Sequence, residues 1–192
     1  NYSTLLNNSI IDSVSANYDN GIIINKSSYV KLINNTGQKI LFFIYLDNSF
    51  YCNISYSNTY ECTQAIKLKY SSYNNIFNNN VTNGIGVVYT DSGVDLSYSS
   101  NNHVYSNIFY NMTYGIFFEQ SSNTIIRDCI NLSGIASDAY LMSSSINNTF
   151  INCSYRTSGT NESVDSGSEL IRKWYYSAYV NTSTGAPVLD AN

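Results

Sequence analysis

Proline, histidine and charge are all scarce in this chain of 192 residues. It has one Pro, one His, and charged residues make up only 11 % of it. Lys and Arg number 9 against 13 Asp and Glu, for a net charge of −4. With no basic cluster to neutralise phosphates, nucleic acid is excluded as a partner. The longest strongly apolar run is Ile40–Leu46, too short for a membrane-spanning segment. None of the four cysteines belongs to a C-x-x-C pair, and His103 is near none of them in sequence. Zinc ligation is therefore not expected. Copper would want clusters of Met, His or Cys, which two Met and one His do not supply. No cofactor or metal is expected. No stretch keeps an apolar period of 3.6 over a dozen residues, so almost no helix is expected. The chain opens at Asn1 without an initiator Met or signal peptide, as expected of a processed product or a fragment.

What is abundant is Asn (29 residues), Ser (30 residues) and aromatic side chains at 15 %. The aromatics and β-branched residues argue against disorder and for strands joined by polar turns. A short phrase recurs: a polar pair, an apolar anchor, then Asn three residues on, replaced by Ile33, Asp128 and Cys153 in three units. It reads STLLNNSI, SYVKLINN, NSFYCNIS, NNIFNNNV, NHVYSNIF, NTIIRDCI and NTFINCSY. The anchors are Leu5, Val30, Phe50, Ile76, Val104, Ile125 and Phe150, about 24 residues apart. A second marker lies between them: NGIII, QAIKL, SGVDL and YGIFF, each leading into polar Ser/Asn steps. Each unit thus reads strand, turn, strand, turn.

The expected fold is all-β: a right-handed single-stranded parallel β-helix, a solenoid of about seven coils, followed by a C-terminal β-strand segment. Successive parallel strands lie about 4.8 Å apart. Like residues then form columns, and Asn8, Asn53, Asn79 and Asn107, with Asp128 as a substitute near Arg127 or Arg156, are expected to build an inward amide ladder. Residues 1–156 are expected to be solenoid and 157–169 a linker loop. Residues 170–192 are expected to be a β-strand segment. It begins with one long strand from Leu170 to Val180 and serves as a cap, an inter-subunit strand or the start of a sandwich module.

The phrases NTII, NTFINC, YGIFFEQSSN and SSNNHVYSN resemble NosD-type parallel β-helix repeats of secreted archaeal and bacterial proteins, over Asn1 to Arg156. That family includes surface proteins, glycan-active enzymes and metal-delivery proteins. The Asn-, Ser- and Tyr-rich style is similar to archaeal surface-layer or surface-filament proteins. The tail NTSTGAPVLDAN resembles the opening of a carboxypeptidase-regulatory-like or other Ig-like module.

Twelve N-x-S/T sequons occur, roughly twice what chance placement gives, and a sequon needs an exposed, translocated site. Asn34, Asn80, Asn111, Asn161 and Asn181 are the favoured N-glycan sites. Asn1, Asn7, Asn25, Asn131, Asn147 and Asn152 are further candidates, and Asn53 is expected to stay bare as a ladder member. In an oxidising compartment Cys52 can pair with Cys62 and Cys129 with Cys153. Four free thiols are the alternative, because spacing does not fix geometry.

Carboxylates are scattered along the sequence. Asp91 and Asp95 flank SGV, as an acidic surface loop or a weak cation site, while Glu119 and His103 are expected to point outward. Tyr73, Tyr105, Tyr110 and Tyr114 fall at turns and outward positions, where aromatics suit subunit or sugar contacts. No catalytic residue is expected. The expected protein is a structural extracellular or cell-surface glycoprotein, a self-associating subunit of a filament, sheath or surface layer. Alternatives are a glycan-binding adhesin, or a carbohydrate-active β-helix enzyme whose site lies elsewhere.

Overall fold

Short alternating strands broken by Asn, Ser and Tyr cannot propagate a helix. They bury their apolar face only by stacking on copies of themselves. A computed structural model describes residues 2–11, 20–84, 91–157 and 161–176, and shows that arrangement. The first coil consists of β1 (Ser3–Leu6), β2 (Ser9–Ile11) and β3 (Asn20–Asn25). Each later coil lays its strands over these, and every strand pairing is parallel. Three sheets result. Sheet A has eight strands beginning with β1, sheet B has five beginning with β2, and sheet C has seven beginning with β3. The molecule is thus a parallel β-solenoid of about seven turns, as the repeat implied. No α-helix occurs among the described residues.

The core runs as columns along the axis. Sheet A contributes Leu5, Leu32, Ile54, Ile76, Val104, Ile126 and Phe150. Sheet C contributes two, because residues two apart share a face. Ile22, Ile44, Ile66, Val94, Ile116 and Ala139 form one, and Ile24, Leu46, Leu68, Leu96, Phe118 and Leu141 the other. Nearly all are fully buried.

The expected anchor row is right at Leu5, Ile76, Val104 and Phe150 and wrong at three places. Val30 is buried, but two residues before the row member Leu32, in the column of Cys52 and Asn74. Phe50 lies at a corner, bridged to Ser28. Ile125 stands in an outward row beside His103 and Thr149, and its neighbour Ile126 takes the interior place. Two adjacent apolar residues give a one-residue ambiguity in phase, and one residue inverts the face. The mean step of about 24 residues holds, but the commonest step is 22, with 24 in the sixth coil. It lengthens to 27 in the first coil and 28 in the fourth, where residues are added between sheets B and C.

The boundary also differs. Glu162–Val164, inside the expected linker, is a strand pairing with Gly134–Met142 in sheet C. Leu170–Lys173 then closes sheet A against Asn148–Ile151. The solenoid therefore runs to Lys173 and not to Arg156. The rest of the expected long strand from residue 177 onward, and the proposed module opening, lie outside the described residues.

Candidate functional site

The corners carry the chemistry that sets coil on coil. Between sheets A and B each coil places one residue in the left-handed backbone region. Asn7, Asn34, Tyr56, Asn78, Ser106, Asp128 and Asn152 all have φ between 51 and 57°. Asn tolerates this conformation best among residues with a Cβ. The next residue points inward, giving the column Asn8, Asn35, Ser57, Asn79, Asn107, Cys129 and Cys153.

From Asn8 to Asn79, each backbone N–H in that column donates to the next coil's side-chain oxygen. Asn8 donates to Asn35 Oδ1 at 3.0 Å, Ser57 to Asn79 Oδ1 at 3.0 Å and Asn79 to Asn107 Oδ1 at 2.9 Å. The amide Nδ2 returns to the coil before. Asn79 reaches Ile54 O at 3.1 Å and Asn107 reaches Ile76 O at 2.9 Å. Buried amides are thus satisfied on both sides.

Asn8, Asn79 and Asn107 stand in this ladder, but Asn53 and Asp128 do not. Asn53 is on the outward row of sheet A, where Asn75 Nδ2 donates to its Oδ1 at 2.9 Å. The reason for expecting it to stay bare is therefore gone. Asp128 holds the left-handed corner position, paired with Arg127 at 3.2 Å and accepting from Asn152 Nδ2 at 3.0 Å.

The corner from sheet C to sheet A carries two more ladders that the sequence reading missed. A serine ladder runs Ser27, Ser49, Ser71, Ser99, Ser121, Ser145 and Ser168. Each backbone N–H donates to the next Oγ at 2.8–3.2 Å. Three residues later, Cys52 N–H donates to Asn74 Oδ1 at 2.8 Å and Asn74 N–H to Asn102 Oδ1 at 2.9 Å. Thr124 N–H donates to Asn148 Oδ1 at 3.1 Å. The recurrent S-x-x-N in YSSYNN, YSSNNH and LMSSSINN was the available signal.

Between those two ladders, Tyr29, Tyr51 and Tyr73 hold a second left-handed row, continued by Asn101, Asn123 and Asn147. Rings Tyr29–Tyr51 and Tyr51–Tyr73 stack at 5.3 and 5.4 Å, and Tyr2 leans on Tyr29 at 5.4 Å. Each is about half exposed or more, but the faces are turned on one another. The surface sees ring edges and hydroxyls. On sheet A, Phe77 and Tyr105 stack at 4.9 Å and Arg127 covers Tyr105 at 4.7 Å.

The outer face of sheet C buries charge among rings. Asp91 and Asp95 are each only 1 % exposed, which overturns the acidic surface loop. Lys67 lies 3.1 Å from Asp95 Oδ2 and 3.0 Å from Gln64 Oε1, with its Nζ 5.3 Å from the Phe42 ring centre. Ser97 Oγ donates to Asp95 Oδ1 at 2.6 Å. Tyr45 flanks this group on one side, and Tyr114, Phe117 and Tyr140 lie on the following coils. Burial pushes the Asp95 carboxyl above its ordinary range, and Lys67 only partly opposes it. Glu119 and His103 face outward, as expected.

Toward the C-terminal coils, Asp138 is fully buried. It accepts from Gly134 N–H at 2.8 Å, from Arg156 N–H at 2.7 Å and from the Arg156 guanidinium at 2.7 Å. Glu162 is held by Tyr155 at 2.7 Å and by Arg172. No group of three or more His, Cys, Asp or Glu suited to a metal occurs among the described residues. No helix among them is long and apolar enough to cross a membrane.

The four cysteines are free thiols. Cys52 and Cys62 occupy different corners, so the pairing considered for them is excluded. Burial raises the Cys62 thiol to about 11. Of the candidate sugar sites, Asn7, Asn25, Asn34, Asn80, Asn111, Asn131, Asn147 and Asn152 are exposed and Asn161 is half-buried. Asn1 and Asn181 lie outside the described residues. Six of the exposed ones sit at left-handed φ. The corner rule alone, a left-handed Asn, an inward residue and an outward Ser or Thr, writes sequons such as Asn34-Asn35-Thr36.

Stacked parallel coils, inward amide and hydroxyl ladders and a step most often of 22 residues define a protein of the parallel β-helix class. A family model described as right handed beta helix region matches residues 1–155, and the chain belongs to that family. No curated protein matches it.

Proposed function

We propose that this chain is a structural element of an extracellular or cell-surface assembly, a glycosylated rod and not an enzyme. The observation that carries the reading is that the interior polar groups at two corners are spent on holding coil to coil. Two of the buried acids have fixed partners too: Asp95 with Lys67 and Ser97, Asp138 with Arg156. A rod fixed this way resists local opening, and sugars on its exposed corner asparagines offset a surface poor in charge. The low charge and the edge-on tyrosine row also suit lateral contact between copies. Negative-stain microscopy and sedimentation of native material test this. Ordered polymers carrying peptide-mapped glycans support it, and a bare, monodisperse monomer contradicts it.

A second reading, glycan-binding adhesin, is favoured by the sheet C face. There Phe42, Tyr45, Tyr114 and Tyr140 border the Lys67–Asp95 pair, an arrangement of rings around polar groups that suits sugar recognition. Saturable binding of isolated monomer to a glycan array, lost in Tyr114→Ala, separates it from the first.

A further inference from the structure

The inward column at the A–B corner changes chemistry near its C-terminal end. Its amides Asn79 and Asn107 touch, with Nδ2 to Oδ1 at 3.0 Å. The next two members are Cys129 and Cys153. Ser154 N–H donates to Cys129 O at 2.9 Å, so the two cysteines are direct neighbours on consecutive coils. Parallel neighbours stand about 4.8 Å apart, within the roughly 4.4–6.8 Å between Cα atoms that a disulfide spans. Each thiol lies against its own strand, Cys129 Sγ 3.6 Å from Arg127 O and Cys153 Sγ 3.5 Å from Ile151 O. They differ in access: Cys129 is buried and Cys153 half-buried. The contact between them lowers the Cys153 thiol and raises that of Cys129.

A second, independent observation concerns the backbone there. Sheet B ends as continuous strands at Ile108–Tyr110. Beyond it, among the described residues, the continuous strands give way to the isolated bridges Ile108–Ile130 and Leu132–Tyr155 and to scattered main-chain bonds such as Ser133 N–H to Phe109 O. The cysteine pair lies where the ladder of main-chain bonds thins.

We propose that Cys129 and Cys153 are an oxidation site that closes to an inter-coil disulfide by exchange with a small-molecule disulfide, Cys153 attacking and Cys129 resolving. The Cys153 thiolate attacks one sulfur of R–S–S–R and releases RS⁻. Cys129 then loses its proton and attacks the Cys153 sulfur of the mixed disulfide, releasing the second RS⁻. Two protein thiols give up two protons and two electrons, and the oxidant leaves as two R–SH. The link bridges the sixth and seventh coils. Neither Cys52 nor Cys62 has a cysteine neighbour in its column, so both remain thiols. The inference does not depend on what the rod does.

The test treats the purified full chain with oxidised glutathione, then denatures, alkylates and maps it. The expected product is lighter by two hydrogens, has two of its four thiols lost to alkylation, and yields a Cys129–Cys153 linked peptide. Its unfolding midpoint falls on reduction. Cys129→Ser is expected to stall as a glutathione adduct on Cys153, and Cys153→Ser to stay unmodified. Four alkylatable thiols after oxidation, or a link through Cys52 or Cys62, would overturn the proposal. So would a wild-type adduct that never resolves.

Discussion

At the scale of single residues, the same amide has opposite worth on the two faces of a strand. Asn79 is buried, and its side chain serves Ser57 N–H and Ile54 O. Its replacement by Ala strands both, and is expected to cost about 1–3 kcal/mol. Asn53, on the outward row, exchanges one half-buried bond with Asn75. Its replacement is expected to stay within about 0.5 kcal/mol. Urea unfolding of Asn79→Ala and Asn53→Ala measures the contrast, and equal losses would remove the inward assignment.

Asp95 gives a pH signature. Its folded pKa is raised above the reference of 3.8, with burial the main cause and Lys67 opposing. The stability tied to that group is full below 3.8 and is lost as pH rises through the folded value. Asp95→Asn is therefore expected to gain on the wild type between pH 4 and pH 7, as followed by unfolding midpoints. A variant that loses ground as pH rises contradicts this balance.

At the scale of strands and corners, what was legible followed from period. The sheet C strands were located by the phrases NGIII, QAIKL, SGVDL and YGIFF, but only QAIKL and SGVDL alternate and so also give the buried face. Sheet A was legible where one aliphatic residue stood between polar or hydroxyl-bearing neighbours, as at Val104 between His103 and Tyr105, and not where Ile125 and Ile126 stood together. The corners were the harder part, since a left-handed φ leaves no apolar period to read. Asn was counted as ladder wherever it fell three places after an anchor, which misplaced Asn53 and Asp128. The Lys67–Asp95 group was illegible for another reason: Lys67 and Asp95 are 28 residues apart and meet only through the register of stacked coils.

Close approach of coils is fixed at glycines in the same elements. A Cβ on Gly93 would lie 2.7 Å from the Gly115 carbonyl oxygen and 2.7 Å from the Phe109 ring. The backbone atom cannot yield. Gly93→Ala is expected to cost about 1–3 kcal/mol by overpacking, whereas Gly167→Ala, whose nearest contact is a Ser144 hydroxyl at 3.2 Å, is expected to be nearly silent. Thermal unfolding of the pair measures it, and equal midpoints would contradict the close stacking of sheet C.

At the scale of the whole molecule, each coil contacts mainly its neighbours, so stability accrues coil by coil. The interior coils bury almost every apolar anchor, whereas Leu6, Ile11 and Ile23 of the first coil remain exposed. What unites the core, the ladders, the tyrosine row and the cysteine pair is in-register parallel stacking. Nuclear Overhauser spectroscopy of labelled protein tests that most directly. The account predicts a contact between the side-chain amide protons of Asn79 and Asn107, 28 residues apart, together with contacts from Leu32 to Ile54 and from Ile54 to Ile76. Strong cross-strand contacts between α-protons, the mark of antiparallel pairing, with no Asn79–Asn107 contact would contradict it.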